Sequence, residues 1–459
     1  MLTSLFYSTP RNESGSRERT AISFAFSSRP AVFTHRLRVG GVPLLVLSCL
    51  ASGLAVDAPA GESGSGSSRD ALPETLFLRP EALAAQKQRL EAGDSHVEAA
   101  FDELIRRAEE ALEQEPVTIV SKPQTPPSGD KHDYMSLGPY WWPDPDSEDG
   151  LPYIQRDGEV NPERYDYDLP RLDAVTRAVR DLGPAYYFSE NEEYAEHAAL
   201  LLRTFFIDVE TRMNPNLKYA QIRRGHGELN PGGIIETTRF RDLIDSILLL
   251  KGSEAWTNED HTALKRWFGD YTDWLVNSEH AREEAEAANN HGTWWAYQAV
   301  LYALFSGKND VALEVLKTIP DRISDQIEPD GRQPYEIVRT RSFHYHDFNN
   351  RGLLRLARLA SHVDFDLASF ETDDGRGIRT AVEFLIPYAT GGKEWEWEQI
   401  SDIRYNNVAR QFRRASVVFE DPKFERAIER LPDGGKGHLH SSVRLLDPPP
   451  ELEIESGYR

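Results

Sequence analysis

Thr257-Asn258-Glu259-Asp260-His261-Thr262-Ala263-Leu264-Lys265-Arg266-Trp267-Phe268-Gly269-Asp270-Tyr271-Thr272-Asp273-Trp274-Leu275 reads as one amphipathic helix from its cap to its core. Thr257 with Asp260 forms a capping-box pair. Leu264, Trp267, Phe268, Tyr271, Trp274 and Leu275 then recur at the spacing that places them on one stripe. The same period returns on both sides of this segment. Val97, Phe101, Leu104, Ile105, Ala108 and Leu112 make one face before Pro116 stops it; Tyr194, Ala198, Leu201, Leu202 and Phe205 make a second. Leu243, Ile244, Ile247, Leu248 and Leu250 make a third. No comparable run of alternating strand residues appears, apart from short alternation near Val443 and Leu452 that suggests a small terminal strand. The chain is therefore expected to be all-α.

Three polar and aromatic stretches interrupt the helical pattern: residues 131–163, 214–233 and 330–350. Connections this long are uncommon in a compact domain and usually carry function. Twenty Phe, 18 Tyr and nine Trp in 459 residues supply ample material for a core. The formal charge of -23 excludes a general nucleic-acid binder, which needs a basic surface. If the substrate is itself anionic, the Arg and Lys must be concentrated in the cleft.

Near the start, Arg36 and Arg38 precede an apolar run from Val42 to Leu54, the length of a leader h-region and too short to span a bilayer. Gly53-Leu54-Ala55 offers a small-x-small cleavage site, so residues 1–55 are expected to direct export to the periplasm or beyond. The basic pair lies far from Met1, which implies a long n-region or a start farther along. Cys49 is the sole cysteine, and Val46-Leu47-Ser48 before it makes only a weak lipobox. The Gly-, Ser- and Pro-rich residues 56–71 read as a linker. Residues 72–459 are then expected to form one domain, without disulfides.

Three segments carry chemistry. Asn289-Asn290-His291-Gly292-Thr293-Trp294-Trp295 puts a histidine beside two carboxamides at the start of an aromatic helix, which fits a structural helix-start histidine as well as a functional one. Arg339-Thr340-Arg341-Ser342-Phe343-His344-Tyr345-His346-Asp347 crowds donors and titratable groups together. A metal site of His344, His346 and Asp347 is disfavoured, because His-x-His separates the two rings. The third segment, His132-Asp133-Tyr134-Met135-Ser136-Leu137-Gly138-Pro139-Tyr140-Trp141-Trp142-Pro143, suits stacking on sugar faces and equally suits covering a core.

Together these segments resemble the alginate lyase superfamily, and the third resembles polysaccharide lyase family 38 within it, with family 5 as a relative. The likeness covers roughly residues 72–397. It implies an (α/α) toroid of roughly six to seven helical hairpins, acting without a cofactor on a uronic-acid polymer. It also implies a catalytic set of Tyr345, His291, Arg339 and Asn290. Whether Arg339 or Arg341 meets the substrate carboxylate is left open. Substrate contacts are expected from Gln221, Arg223, Arg341, His344, Tyr140, Trp141, Trp142, Lys393 and Trp395.

The chemistry asks for these types. A uronate C5 proton is removable only if the developing aci-carboxylate is stabilised, a task for Arg339 and Asn290. Tyr345 can act as base and acid if Arg339, Arg341 or His344 lowers its pKa from about 10. In mannuronate and glucuronate, H5 and O4 share a side and one group suffices; guluronate needs two, His291 as base and Tyr345 as acid. Mannuronate-rich alginate is the expected substrate, with glucuronan next. The rival readings are a silent binding protein for acidic polysaccharide and a glycoside hydrolase, which would need a flanking carboxylate pair.

Overall fold

The capping box forms: the Thr257 hydroxyl accepts the Asp260 N–H at 3.1 Å, and the Asp260 carboxylate accepts the Thr257 N–H at 3.1 Å. The structure is a computed structural model describing residues 72–450 apart from 436, 438 and 440, all within one unit, Arg69–Arg459. The leader, Cys49, the linker and Leu452 lie outside the described residues.

From the N-terminal side the chain forms α1 (Pro80–Glu91), α2 (Ser95–Leu112), the short strands β1 (Met135–Leu137), β2 (Trp141–Trp142) and β3 (Ile154–Gln155), then α3 (Leu169–Ser189) and α4 (Glu192–Leu202). Strand β4 (Tyr219–Ile222) precedes a 3-10 segment, Pro231–Asp242, and α5 (Leu243–Leu248). The capped helix is α6 (Asn258–Asn277), followed by α7 (Glu279–Ala285), α8 (Asn290–Ser306), α9 (Asn309–Leu316) and α10 (Ile319–Gln326). The remainder is α11 (Pro334–Ile337), α12 (Ser342–Ala360), α13 (Ile378–Ala389), α14 (Tyr405–Val418), α15 (Lys423–Glu429) and α16 (Ser441–Leu446).

Packing follows the chain: α3 lies against α2, α4 and α5, and α8 lies against α6 and α12, with α14 on the far side of α12. The last described helix, α16, packs on α1 and α2, so the described residues close on themselves, and the architecture is an all-α toroid. Helix α8 is apolar on nearly every face, as a central helix must be. Only His291 and Ser306 in it escape full burial.

Two expectations are corrected. Residues 330–350 are not a loop, because α11 and the first turns of α12 occupy them, and Val443 sits in α16 rather than a strand. The strands that do form are elsewhere: β1 pairs parallel with β4, and β2 antiparallel with β3. They stitch two long polar segments together beside the helix ends.

One buried pair fixes the first of those segments. Lys122 Nζ lies 3.1 Å from Asp168, with both side chains fully buried. The same ammonium donates to the carbonyls of Ile119 and Lys131, and Asp168 accepts the Met135 N–H that starts β1. Burial pushes the Lys122 pKa down and the Asp168 pKa up; each charge opposes the shift of the other, and the Met135 N–H and Arg171 also support the Asp168 carboxylate. We expect Lys122→Met to cost about 3–5 kcal/mol, since it strands a buried carboxylate. Urea unfolding of both proteins checks this, and an unchanged midpoint would refute it.

Candidate active site

The start of α8 is built by its own sequence. The Asn289 side chain caps the helix by accepting the His291 N–H at 3.1 Å. A side chain at Gly292 would collide with the Ala287 carbonyl and the Arg322 guanidinium, so glycine lets the helix begin hard against its neighbours. His291 Nδ1 lies 2.6 Å from the Glu284 carboxylate of α7. Burial pulls the imidazole pKa down, but the charge and hydrogen bond of Glu284 outweigh it, and the net shift is upward.

The start of α12 has no side-chain cap of its own, and the segment around Glu398–Ile400 supplies one. Glu398 O accepts the Ser342 N–H and hydroxyl, and the Gln399 side chain accepts the Phe343 N–H at 3.1 Å. This strap holds the turn that carries Tyr345. The Tyr345 hydroxyl accepts from Arg339 Nη2 at 3.0 Å and donates to the Tyr140 hydroxyl at 2.8 Å. The Arg339 guanidinium also lies 4.0 Å from the centre of the tyrosine ring. Its Nε and Nη2 edge is engaged by Asp157, at 3.1 and 2.5 Å.

Burial raises the Tyr345 pKa well above the ordinary value. Arg339 opposes that rise, while Tyr140 and Asp157 add to it. The expected lowering is thus overturned for the resting protein. His344 gives no help: burial and the charges of Arg351, Arg404, Arg341 and Arg339 push its pKa down to about 3, so it is neutral.

Glu336 joins the two helix starts. Its carboxylate, 1% exposed, accepts the Asn290 backbone N–H at 2.5 Å and the Asn290 Nδ2–H at 2.7 Å. Its carbonyl accepts the Arg339 N–H at 3.2 Å. Asn290 is thus tied through Glu336 to the segment that leads into Arg339, although |i−j| from Asn290 to Glu336 is 46, and Arg339 lies near enough to His291 to act on its pKa. Burial raises the Glu336 pKa to about 7 against the pull of Asn290, Arg339 and His291.

Tyr140 reaches Tyr345, and Trp141 with Arg223 (5.3 Å) and His226 (4.9 Å) forms an aromatic and cationic wall beside it in the chain. Trp142 packs under Arg156 and donates its indole N–H to Glu159 O. Gln221 turns its carboxamide inward to Glu236 at 3.3 Å, away from the role of substrate donor expected for it. Arg341 sits on the α14 side of α12, where it lines a recess with His344, Gln399 and Arg404. Trp395 donates to the Ser342 hydroxyl at 2.7 Å among Phe343, Tyr388 and Trp397, so it buttresses α12 rather than lining a cleft. Lys393 is exposed beside Tyr388 and makes no contact with the Tyr345 cluster among the described residues. His346 is buried against Phe384 and bonds Gly331 O, and Asp347 pairs with Arg351.

A family model described as alginate lyase matches residues 118–395. A crystal structure of an alginate lyase from Bacteroides ovatus is 36% identical, with a TM-score of 0.78 over 82% of this chain and 99% of that one. The chain belongs to the alginate lyase family. A complex of alginate lyase A1-III with a tetrasaccharide shares the fold at 15% identity and a TM-score of 0.50, covering 77% of this chain and 90% of that one. None of the curated protein sequences matches.

In this alginate lyase family member, the residues that sequence reasoning missed are acidic: Asp157 on Arg339, Glu284 on His291, Glu336 on Asn290 and Glu236 on Gln221. Their chemical type carried no signal among 75 Asp and Glu. We expect Glu284→Gln to bring the His291 pKa below 6.5, because burial, the largest influence, then acts with Arg339 against only the smaller pull of Glu336. Imidazole NMR titration of the folded variant reads this; a value still raised would show that Glu284 is not the cause.

Proposed function

We propose that this polysaccharide lyase cleaves mannuronate-rich alginate by β-elimination, with Tyr345 moving the proton. The observation that carries the proposal is the buried Tyr345 hydroxyl, held between Arg339 and Tyr140 beside the Asn290–Glu336 pair. In the step, the tyrosinate oxygen takes H5, the C5–H electrons form the C4=C5 double bond, the C4–O4 bond breaks, and the new phenol returns its proton to O4. One group finishes as it began. Asn290 retains a second amide hydrogen for the uronate carboxylate, and a protonated His291 adds charge there. The upward-shifted His291 suits a charged donor better than a base, which favours same-side substrates, mannuronate before glucuronate.

The separation |i−j| of 6 between Arg339 and Tyr345 supports membership of polysaccharide lyase family 38. The Trp141 wall with Arg223 is read as a sugar-binding surface, and Arg341 as a contact for a neighbouring carboxylate. Residues 72–459 are read as one catalytic domain, residues 56–71 as a linker and residues 1–55 as an export leader. No described helix is long and apolar enough to cross a membrane.

Tyr345→Phe removes one oxygen and keeps the ring. Turnover should fall by about 10²- to 10⁴-fold with little change in folding or affinity. The readout is ultraviolet absorbance of the unsaturated uronate from polymannuronate. Near-wild-type turnover would sink the tyrosine assignment, and product from glucuronan alone would overturn the substrate while leaving the chemistry intact.

The pH profile separates the two candidate bases. In His291→Ala, a Tyr345 base with a raised pKa leaves a reduced kcat/KM that still climbs through pH 9 as the tyrosinate fraction grows. A His291 base would instead leave no lyase activity in that variant at any pH, and such a loss would reassign the base.

A further inference from the structure

Away from Tyr345, α3, the 3-10 segment Pro231–Asp242, α12 and α14 bring Arg180, Arg241, Arg351, Arg355, Arg410 and Arg414 within electrostatic reach of Asp242 or of one another in one region of the toroid. Three carboxylates answer these six guanidiniums. Asp181 pairs with Arg180 at 2.8 Å, Asp347 with Arg351 at 3.0 Å, and Asp242 with Arg355 at 2.8 Å. Arg241 can only share Asp242, at 3.5 Å. Asp245 is committed to the backbone N–H groups of Leu76, Phe77 and Leu78, and Asp447 pairs with Arg79.

Arg410 and Arg414 make neither an ion pair nor a hydrogen bond among the described residues. Arg414 rests over the Phe77 ring at 5.1 Å, and Arg355 lies over the same ring at 4.1 Å. The Nε atoms of Arg355, Arg410 and Arg414 are buried without partners, and the Arg355 side chain has no exposed surface. Water nonetheless reaches the region, because the side chains of Arg180, Asp242 and Arg241 are 40%, 37% and 32% exposed. Burial and the neighbouring cations push the Arg414 pKa down to about 9. A guanidinium does not shed its proton in a protein, and among the described residues only Asp242 and Asp447 offset the charge of Arg414, neither in an ion pair with it.

We propose that this interior of the toroid is an anion site, distinct from the Tyr345 centre, which takes a small multivalent oxyanion through Arg410, Arg414 and Arg241. A multivalent oxyanion fits because Arg241, Arg410 and Arg414 all lie within electrostatic reach of Asp242 while the guanidiniums of this region outnumber its carboxylates among the described residues, and each fork suits paired oxygens. Chloride offers one charge and no paired oxygens. The site does not depend on the lyase reading, since binding is measured without turnover.

The probe is inorganic phosphate on the intact protein, with chloride at matched ionic strength as the control. Calorimetry should show one saturable site, and millimolar phosphate should raise Tm by on the order of 2 °C beyond chloride. The Arg410→Gln/Arg414→Gln double variant should bind phosphate at least about tenfold more weakly and keep its phosphate-free kcat. In chloride its Tm should equal or exceed that of the wild type, because two half-buried charges without an ion-pair partner among the described residues are gone. If the double variant does not fold, Arg410→Gln alone serves, with the same loss of phosphate affinity expected in smaller degree. Absence of phosphate binding to the wild type, or equal binding by the folded variants, overturns the proposal.

Discussion

The candidate site depends on one constraint: the three polar groups around Tyr345, namely Asn290, His291 and Arg339, are each held by a carboxylate. Glu336 clamps Asn290, Glu284 clamps His291, and Asp157 clamps the arginine that touches Tyr345. In water, flexible pairs of this kind contribute little. Removed from water they are costly to form and more costly to break, so they fix orientation even where they add little net stability. Glu336 is the most constrained, with its pKa at about 7 and two Asn290 donors on its oxygens. Because it sits three residues before Arg339, it transmits the position of the α8 start to the α12 start.

This arrangement explains which parts were legible in the sequence. The capping box at Thr257, the cap at Asn289 and the apolar stripes act locally, so residue type and spacing reveal them. The start of α12 was taken for a loop because its buried faces are polar. His346, Asp347, Asn349 and Asn350 are all buried, and Asn349 and Asn350 join a hydrogen-bonded belt with Gln326 and Gln333. A helix that buries carboxamides instead of leucines shows no hydrophobic period. Its cap comes from residues near Gln399, beyond the reach of any local pattern. The acidic partners were illegible for a different reason: a fold-specific pairing selects four carboxylates from a surplus.

The chain's negative charge and its arginine-lined interior fit together on the same terms. Acidic residues cover the outside, where a charge costs little to solvate, while guanidiniums collect where helix ends and inner faces converge. Burial, joined by Arg351, Arg404, Arg341 and Arg339, depresses the His344 pKa and so removes a titrating group from beside Tyr345. The ring is left as a neutral stacking partner for Phe348.

Arg339 faces two demands that its geometry reconciles only in part. It must polarise the Tyr345 hydroxyl, and the chemistry also calls for a cation near the uronate carboxylate. Asp157 occupies one edge of its fork in the resting protein, so a substrate carboxylate cannot take that edge bidentately without displacing Asp157. Leaving Asp157 in place keeps the guanidinium locked over the tyrosine ring at 4.0 Å but cancels much of its charge. A uronate carboxylate that displaced Asp157 would put one anion in place of another, so the guanidinium would gain no free charge with which to lower the Tyr345 pKa. On the proposed reading the carboxylate is therefore better held by Asn290 and His291, with Asp157 left on Arg339 to keep the guanidinium over the tyrosine ring.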